Sequence, residues 1–214
     1  MRRKKVNYAV LWFTKLTGVI PALLFFKPKV YYVDKRVQGR HLPKGSILMS
    51  NHISLMDFVL YLMVFFGNTV RFLMAEVLFG KSKVFSWLLY SLGGLYVNRY
   101  TYNISAISKS VEILKKGGVV GIFPQGRLPV GEKPLPFKSG IAYIAIYADS
   151  PIIPVYTDGN YGLFKRAKMV IGTPIYLKDY LNGERDDKNE FERLAAVLEE
   201  KTYELKEFLE SREK

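Results

Sequence analysis

Apolar residues follow two different spacings along this chain. Short apolar runs recur between turn residues, and the segments between them repeat apolar residues three or four positions apart. The first pattern is typical of buried strands and the second of amphipathic helices. The two patterns predict strands at residues 30–33, 47–50, 69–73, 95–97, 119–123, 152–156 and 168–171, and helices at residues 55–66, 84–92, 104–114, 140–148 and 191–208. Strands that alternate with helices predict an α/β fold, with a mixed, mostly parallel sheet covered by helices on both faces.

The N-terminal segment differs from the rest of the chain. Four basic residues at positions 2–5 precede an apolar stretch over residues 6–26, which Lys15 interrupts and Pro21 breaks near its end. A helix that spans a membrane needs about 20 mostly apolar residues, so this stretch is borderline in length. Basic residues at both ends and aromatic residues between them favour amphipathic helices that lie in the membrane interface. A true span and a helix pair packed on the domain are the two alternatives.

These patterns divide the chain into two parts. Residues 1–28 are predicted to form a membrane-associating helical segment, and residues 29–214 a single α/β domain. A signal peptide also begins with basic and then apolar residues, but no small-residue cleavage pattern follows the apolar stretch. A cleaved leader is therefore not expected.

Charge and cysteine content limit the classes of function. The formal net charge is +13, and residues 1–40 hold ten Lys or Arg against one acid, whereas residues 181–214 hold seven against eleven. A basic surface favours anionic partners: nucleic acid, anionic lipid or phosphorylated metabolites. The absence of cysteine excludes disulfides, a thiol nucleophile and cysteine-ligated zinc. The sequence has two histidines and no carboxylate cluster, so we expect no metal site.

The candidate chemistry begins where the strand at residues 47–50 ends, with Asn51, His52 and Asp57. Sites collect at strand ends in α/β sheets. On a regular helix a spacing of five puts two side chains about 140° apart, so His52 and Asp57 meet only if the chain turns between them. A histidine that a carboxylate orients can act as a general base on a hydroxyl. The structural alternative is a capping box between Ser54 and Asp57.

Three further blocks follow in order, at residues 93–99, 123–127 and 152–155. Read alone, each block is a short strand with the turn or loop beside it. An arginine at a strand end, however, offers a planar fork that fits phosphate oxygens. Arg99 and Arg127 are therefore candidate phosphate contacts.

The four blocks together resemble the signature blocks of the glycerolipid acyltransferases with a His-x4-Asp motif, which include the bacterial lysophosphatidic acid acyltransferases. The resemblance covers about residues 30 to 175, with the blocks in the family's order. It implies that His52 is the general base and that Asp57 is its partner. It further implies that the other marked residues bind substrate, namely Asn51, Arg99, Gln125, Gly126, Arg127 and Pro154.

The resemblance also carries expectations about the reaction and where it takes place. It implies transfer of a fatty acyl group from acyl-CoA or acyl carrier protein to the sn-2 hydroxyl of 1-acylglycerol-3-phosphate, which gives phosphatidic acid. No cofactor is expected beyond that thioester co-substrate. The expected partners are an anionic membrane surface and a lysophospholipid acceptor, with no nucleic acid. The expected location is the cytoplasmic face of the cell membrane, with the protein interfacial or monotopic.

Two positions depart from the family pattern. Gln125 stands where a glutamate is usual, which keeps hydrogen-bonding capacity but removes the charge. No lysine lies near Ala75 and Glu76, where the family often has one that holds phosphate. Acylation of another lysophospholipid or of a lipid-linked alcohol therefore stays open. A non-catalytic membrane-binding homologue is opposed by the intact His52 and Asp57, and a nucleic-acid binder by the lack of any recognised nucleic-acid-binding motif.

Overall fold

The computed structural model describes residues 6–98, 104–129, 131, 134–183 and 187–213. These residues form α-helices, strands and one 3-10 helix. In chain order the elements are α1 (Tyr8–Phe26), β1 (Lys29–Tyr32), β2 (Ile47–Ser50), α2 (Asp57–Val64), β3 (Val70–Ala75), α3 (Glu76–Phe79), α4 (Lys83–Ser91), β4 (Leu95–Val97), α5 (Ile104–Lys115), β5 (Val119–Ile122), α6 (Gly140–Ala148), β6 (Ile152–Thr157), β7 (Lys168–Ile171), the 3-10 helix (Leu177–Tyr180) and α7 (Lys188–Ser211).

The strands form one sheet of seven in the order β1-β7-β6-β2-β5-β3-β4. All neighbouring pairs are parallel except β6 and β7, which run antiparallel. Alternate residues of β2 point to opposite faces: Leu48 packs in one apolar cluster, and Ile47 and Met49 in the other. Helices α1, α2 and α4 cover the first face, and α5, α6 and α7 the second. The predicted mixed, mostly parallel sheet with helices on both faces is confirmed.

Most helices and strands lie within a few residues of their predicted bounds, because the spacing of their apolar residues follows the face that is buried. Helix α3 and the 3-10 helix were not predicted. Each is four residues long, which is too short for a helical period to appear in the sequence. Helix α2 begins at Asp57, two residues later than predicted, because residues 53–56 form the turn that brings Asp57 back to His52.

In the described part of the N-terminal segment, Tyr8–Phe26 form one continuous helix, which corrects the prediction of several. Asn7 caps α1 by accepting a hydrogen bond from the Val10 amide, and Lys27 ends it in the left-handed conformation. Pro21 lies inside the helix and does not break it. A row of buried residues holds α1 against α2, α4 and the first face of the core, namely Leu11, Lys15, Ala22 and Phe26.

Lys15 turns inward, although a lysine in an interfacial helix is expected to reach toward headgroups. Its ammonium donates to the carbonyl oxygens of Phe66 (2.6 Å) and Asn68 (2.7 Å), just beyond the end of α2. Burial lowers the pKa of Lys15 to about 8. Carbonyls beyond a helix end carry partial negative charge and suit a cation. Lys15 therefore fastens α1 to the domain.

The opposite side of α1 is apolar and exposed. Six large side chains lie there in the open: Trp12, Phe13, Leu16, Ile20, Leu23 and Leu24. Within the part of the chain that the structure describes, α1 is the one helix long and apolar enough to cross a membrane, a test that soluble core helices and signal sequences also pass. The buried row favours the packed alternative over a free span, because a spanning helix would expose Lys15 and the core residues to lipid.

Candidate active site

The carboxyl ends of β2, β5 and β6 meet at one edge of the sheet, because these strands are parallel. Asn51 and His52 follow β2, Phe123 follows β5, and Thr157 ends β6. The same edge receives the first turn of α2. Sequence-distant groups thus converge where ligands bind in open α/β sheets.

His52 and Asp57 form the predicted pair. His52 Nδ1 lies 2.9 Å from Asp57 Oδ2. Asp57 is fully buried, and the imidazole is largely buried with 13% of its side chain exposed. Because a carboxylate accepts hydrogen bonds, this contact favours the tautomer with its proton on Nδ1, in which Nε2 keeps a free lone pair. A histidine in this tautomer can take a proton from a bound hydroxyl.

The turn between the two residues also forms part of the capping arrangement that was the structural alternative. Asp57 Oδ2 accepts from the amides of Ile53 (2.8 Å) and Ser54 (3.0 Å), and Ser54 Oγ accepts from the Met56 amide. The turn therefore contains the pair contact together with one half of a capping box, although the N-cap residue of α2 is Met56, which has no side-chain cap bond. The helix-start geometry fixes the carboxylate, and the fixed carboxylate orients the imidazole.

Tyr161 is a member of the site that the sequence did not reveal. Its hydroxyl donates to Asp57 Oδ1, across 104 residues of sequence, and lies 3.3 Å from Thr157 Oγ1. Burial, with Tyr61 and Asp57 nearby, raises the pKa of Tyr161 far above its usual value, so it stays a donor. A lone tyrosine in a loop has no spacing that predicts such a contact.

An aromatic stack supports the other side of the imidazole. The His52 ring lies over Phe123, with centroids 4.2 Å apart and planes 16° apart. Phe123 stacks in turn on Phe72 at 5.5 Å. Phe72 crosses β5 at Gly121, where a Cβ would stand 2.4 Å from its ring. A side chain at Gly121 would displace Phe72 and, through it, the support of His52.

Asn51 has its amide occupied by the sheet. Its Nδ2 donates to the Thr157 carbonyl and its Oδ1 accepts from the Thr157 amide, both at 2.9 Å. This pair continues the β2 and β6 pairing one step beyond Ser50 and Val155. Through these two hydrogen bonds Asn51 links the ends of β2 and β6. Its predicted contact with substrate stays a prediction.

The Phe-Pro-Gln-Gly-Arg block forms a turn at the rim of the site. Gly126 has a φ of +71°, and Lys138 Nζ lies 3.3 Å from the position that a Cβ there would take. Arg127 is exposed and has no hydrogen-bond partner among the described residues. Gln125 is buried, with its Oε1 unpaired within that same part of the chain. Two exposed cations thus lie at or beside this turn, which also holds one buried acceptor without a partner.

Pro154 is an interior residue of β6, and its predicted contact with substrate stays a prediction. It lies buried inside β6, paired in register with Met49, and its Cγ would be 2.9 Å from a Cβ at Gly172. The apolar residues at positions 152–155 belong to an interior strand, and their pattern reflects the burial of that strand.

Arg99 lies outside the described residues, and its predicted phosphate contact stays a prediction. Across the described ranges, no group of three or more His, Asp or Glu residues could hold a metal ion.

A histidine paired with a buried carboxylate, at the edge of an α/β sheet where ligands bind, is the arrangement expected of an enzyme that activates a hydroxyl for attack. The family model named Acyltransferase matches residues 34–158, more than half of the 214-residue chain. The chain belongs to this family, and the predicted class of O-acyltransferase is confirmed.

Curated relatives and a solved structure agree with this assignment. The 1-acyl-sn-glycerol-3-phosphate acyltransferase of Bacillus subtilis (strain 168) is 27% identical over 168 residues, which cover 76% of this chain and 80% of the relative. The protein of the same name from Borreliella burgdorferi is 28% identical over 58% of this chain and 51% of its own length. The chain thus spans about half the length of some relatives, the Brassica napus protein included at 52%.

One solved structure that the chain resembles is the crystal structure of the 1-acyl-sn-glycerophosphate acyltransferase PlsC from Thermotoga maritima. The TM-score is 0.60 at 22% sequence identity, over 92% of this chain and 78% of the other. At this identity the likeness concerns the fold. It confirms the α/β architecture that the sequence predicted.

Proposed function

We propose that this protein transfers a fatty acyl group from a thioester to the sn-2 hydroxyl of 1-acylglycerol-3-phosphate, a step of phospholipid biosynthesis that gives phosphatidic acid. The relatives with that activity in their names support the choice of acceptor. The observation that carries the chemistry is the 2.9 Å contact between His52 Nδ1 and the buried carboxylate of Asp57.

The reaction needs one base and no enzyme nucleophile, because a thioester is already activated. His52 Nε2 takes the proton of the acceptor hydroxyl as its oxygen attacks the thioester carbonyl carbon. A new C–O bond forms, and the tetrahedral intermediate collapses with cleavage of the C–S bond. The proton on Nε2 passes to the departing thiolate, which leaves as a thiol. Asp57 holds the imidazole and stabilises its charged form during the transfer.

The rim cations are the proposed contacts for the acceptor phosphate. Arg127 directly follows Gly126 in the chain, the Lys138 ammonium lies beside Gly126, and both residues are exposed. An arginine offers two parallel donors to a phosphate, and a lysine adds a point charge. Arg99 is proposed as a third contact on the strength of its motif alone.

A lipid acceptor fits the apolar groups around the dyad. Between His52 and Asp57 the turn exposes Ile53, Leu55 and Met56. The exposed side of α1 adds a larger apolar surface on the same chain. We propose that α1 lies in the interface at the cytoplasmic face of the cell membrane, where anionic lipid and lysophospholipid are both available.

Two unpaired acceptors favour a second candidate, an acceptor whose headgroup carries a hydroxyl or an ammonium group. Gln125 Oε1 and Glu76 Oε2 are both buried without a hydrogen-bond partner in the described part of the chain. Glu76 directly follows β3 and Gln125 lies three residues after β5, so both stand at the carboxyl edge of the sheet. Acceptor oxygens pair with donors and repel phosphate.

A panel of acceptors separates the two candidates. The purified protein is incubated with acyl-CoA or acyl-loaded carrier protein and, in turn, with lysophosphatidic acid, lysophosphatidylethanolamine and lysophosphatidylglycerol. Mass spectrometry then identifies the diacyl product. Phosphatidic acid as the main product supports the proposed function, and preference for a donor-bearing headgroup supports the second candidate. Failure of every acceptor with both donors would overturn both.

A further inference from the structure

The loop between β6 and β7 carries an exposed apolar tip. Phe164 is fully exposed and Leu163 is 59% exposed, although both are large apolar side chains. Exposed side chains of this size in a loop have no packing role within the domain. Contiguous exposed apolar groups mark sites of interaction. Their exposure to water is unfavourable in free energy, and contact with an apolar partner would relieve it.

Two contacts place this tip beside the C-terminal end of α1. The Lys27 ammonium, just after α1, donates to the Leu163 carbonyl, and the Ala167 amide donates to the Phe26 carbonyl at 2.8 Å. The loop thus leaves and rejoins the domain against the end of α1. Its apolar tip continues the exposed apolar side of that helix, where Leu23 and Leu24 lie one turn earlier.

The charges around the tip are positive. Lys165 and Arg166 follow Phe164 directly and are exposed, and Lys27 lies on the other side of the loop. The acid nearest in sequence, Asp158, accepts hydrogen bonds from the amides of Asn160 and Lys168 at the base of the loop. An apolar tip within a ring of cations matches the interface of an anionic bilayer, where apolar groups enter the acyl boundary and cations stay at the headgroups.

We propose that residues 163–166 form a second membrane contact, whose occupant is the headgroup and acyl boundary of an anionic lipid bilayer. Two apolar side chains cover far less area than a stable protein interface requires, whereas they suffice as an added anchor beside α1. The inference rests on the proposed function only in taking the acceptor to be a membrane lipid.

The proposed contact lies close in sequence to Tyr161, which touches the catalytic pair. Tyr161, which donates to Asp57, stands two residues before Leu163, and its ring packs edge-on against Phe26 at 5.2 Å. A tip held in the bilayer would hold this loop in place and orient the dyad toward the lipid surface. The membrane contact and the residue that supports Asp57 thus belong to one short segment.

Depth-dependent quenching tests the proposal without any substrate. Trp12 and Trp87, the two native tryptophans, are replaced by phenylalanine, and Phe164→Trp is added as the reporter. Vesicles of phosphatidylcholine and phosphatidylglycerol carry bromine on their acyl chains. We expect the reporter emission to shift to the blue and to be quenched by the brominated lipid.

The matched control is Tyr176→Trp in the same background. Tyr176 is also an exposed aromatic residue, beside the 3-10 helix on the second face of the sheet. We expect no quenching there. Equal quenching at both sites, no quenching at 164 in vesicle-bound protein, or failure to sediment with vesicles would each overturn the proposal. A blue shift of the 164 reporter without lipid, accompanied by dimerisation, would assign the tip to a second copy instead and would also overturn it.

The partition of variants between solution and lipid vesicles measures how much residues 163–166 contribute to membrane binding. Leu163→Ser with Phe164→Ser should weaken vesicle partition at least about tenfold. Lys165→Gln with Arg166→Gln should weaken partition to anionic vesicles about tenfold to thirtyfold and leave phosphatidylcholine vesicles unaffected. Unchanged partition in both variants would contradict the proposal. Acylation of a soluble short-chain lysophospholipid tests the proposed function separately, because it needs no vesicle.

Discussion

Asp57 is held by more groups than the motif suggests. It accepts hydrogen bonds from the His52 ring, from two turn amides and from the Tyr161 hydroxyl. All of these partners are donors, so the set suits an ionised carboxylate. Only Tyr161 reaches Oδ1 among the described residues. Its removal would leave a buried charged oxygen unpaired while the contact with His52 stays in place.

Tyr161→Phe should therefore impair turnover more than binding. Hydrogen bonds to charged groups contribute about 1.5–3 kcal/mol, so we expect kcat to fall by about tenfold to a hundredfold while KM for both substrates changes little. Steady-state kinetics on the purified variant measure this split. Tyr156→Phe is the matched control, because Tyr156 lies in β6, just before the loop that carries Tyr161. This variant should behave as wild type. An unchanged kcat in Tyr161→Phe would show that the hydroxyl is dispensable.

The rim cations should act on the acceptor. Arg127→Ala and Lys138→Ala should each raise the KM for a phosphate-bearing acceptor by about tenfold or more and barely change the KM for the thioester, because charge-assisted contacts of this kind contribute about 1.5–3 kcal/mol. Lys116→Ala, at the end of α5, serves as the control for loss of one positive charge. Equal effects on both substrates would place Arg127 and Lys138 in a structural role.

The helices and strands were predictable where one apolar face is buried. The apolar residues of α7 recur at helical spacing, and β5 and β6 are continuous apolar runs, so the sequence alone predicts that these faces are buried. The dyad was predictable for a similar reason, since a helix-start pattern brings Asp57 back toward His52. Tyr161 and the Lys15 contact were not, because each joins residues distant in sequence and depends on how two elements pack.

Lys15 gives α1 a contribution to stability that depends on pH. Its pKa is about 8 in the folded protein, against an ordinary value of 10.5 in the unfolded chain. Between these values the unfolded chain binds more protons, so the folded state gains stability as pH rises from 8 toward 10.5. The cost of burying the charged form is fully present below pH 8.

Comparison with Lys15→Met isolates this contribution. We expect the free energy of unfolding of the wild type to rise relative to that of the variant by about 1–3 kcal/mol between pH 7.5 and 10. Denaturant unfolding at several pH values measures the difference. Parallel pH dependence in the two proteins would mean that Lys15 titrates alike in the folded and unfolded states.

The molecule as a whole joins α1 and the α/β domain through one core. Ala22 and Phe26 of α1 belong to the same apolar cluster as β2, β3 and α2. The predicted division of the chain into a membrane-associating segment (residues 1–28) and an α/β domain (residues 29–214) stays a prediction. Removal of residues 1–28 would strip part of the core, so a test of membrane binding has to change the exposed side of α1 instead.

Three exposed positions on α1 serve that test: Leu16, Ile20 and Leu24. Their combined replacement by glutamine should release the protein from anionic liposomes, because it removes apolar burial in the headgroup region. The fold should persist, since the buried row of α1 is unchanged. Co-sedimentation at low and high salt measures the effect. Full sedimentation of the triple variant would place the anchor elsewhere, and complete release of the wild type by salt would show a purely electrostatic attachment.

The central claim is that His52 is the base that activates the acceptor hydroxyl. The chain offers a matched control in His41, its second histidine, which is exposed and belongs to no part of the site. The most direct measurement compares kcat for acyl transfer in wild type, His52→Ala and His41→Ala, with circular dichroism to confirm the fold. We predict a loss of at least about a hundredfold in His52→Ala and none in His41→Ala. Near-normal turnover by folded His52→Ala would contradict the account.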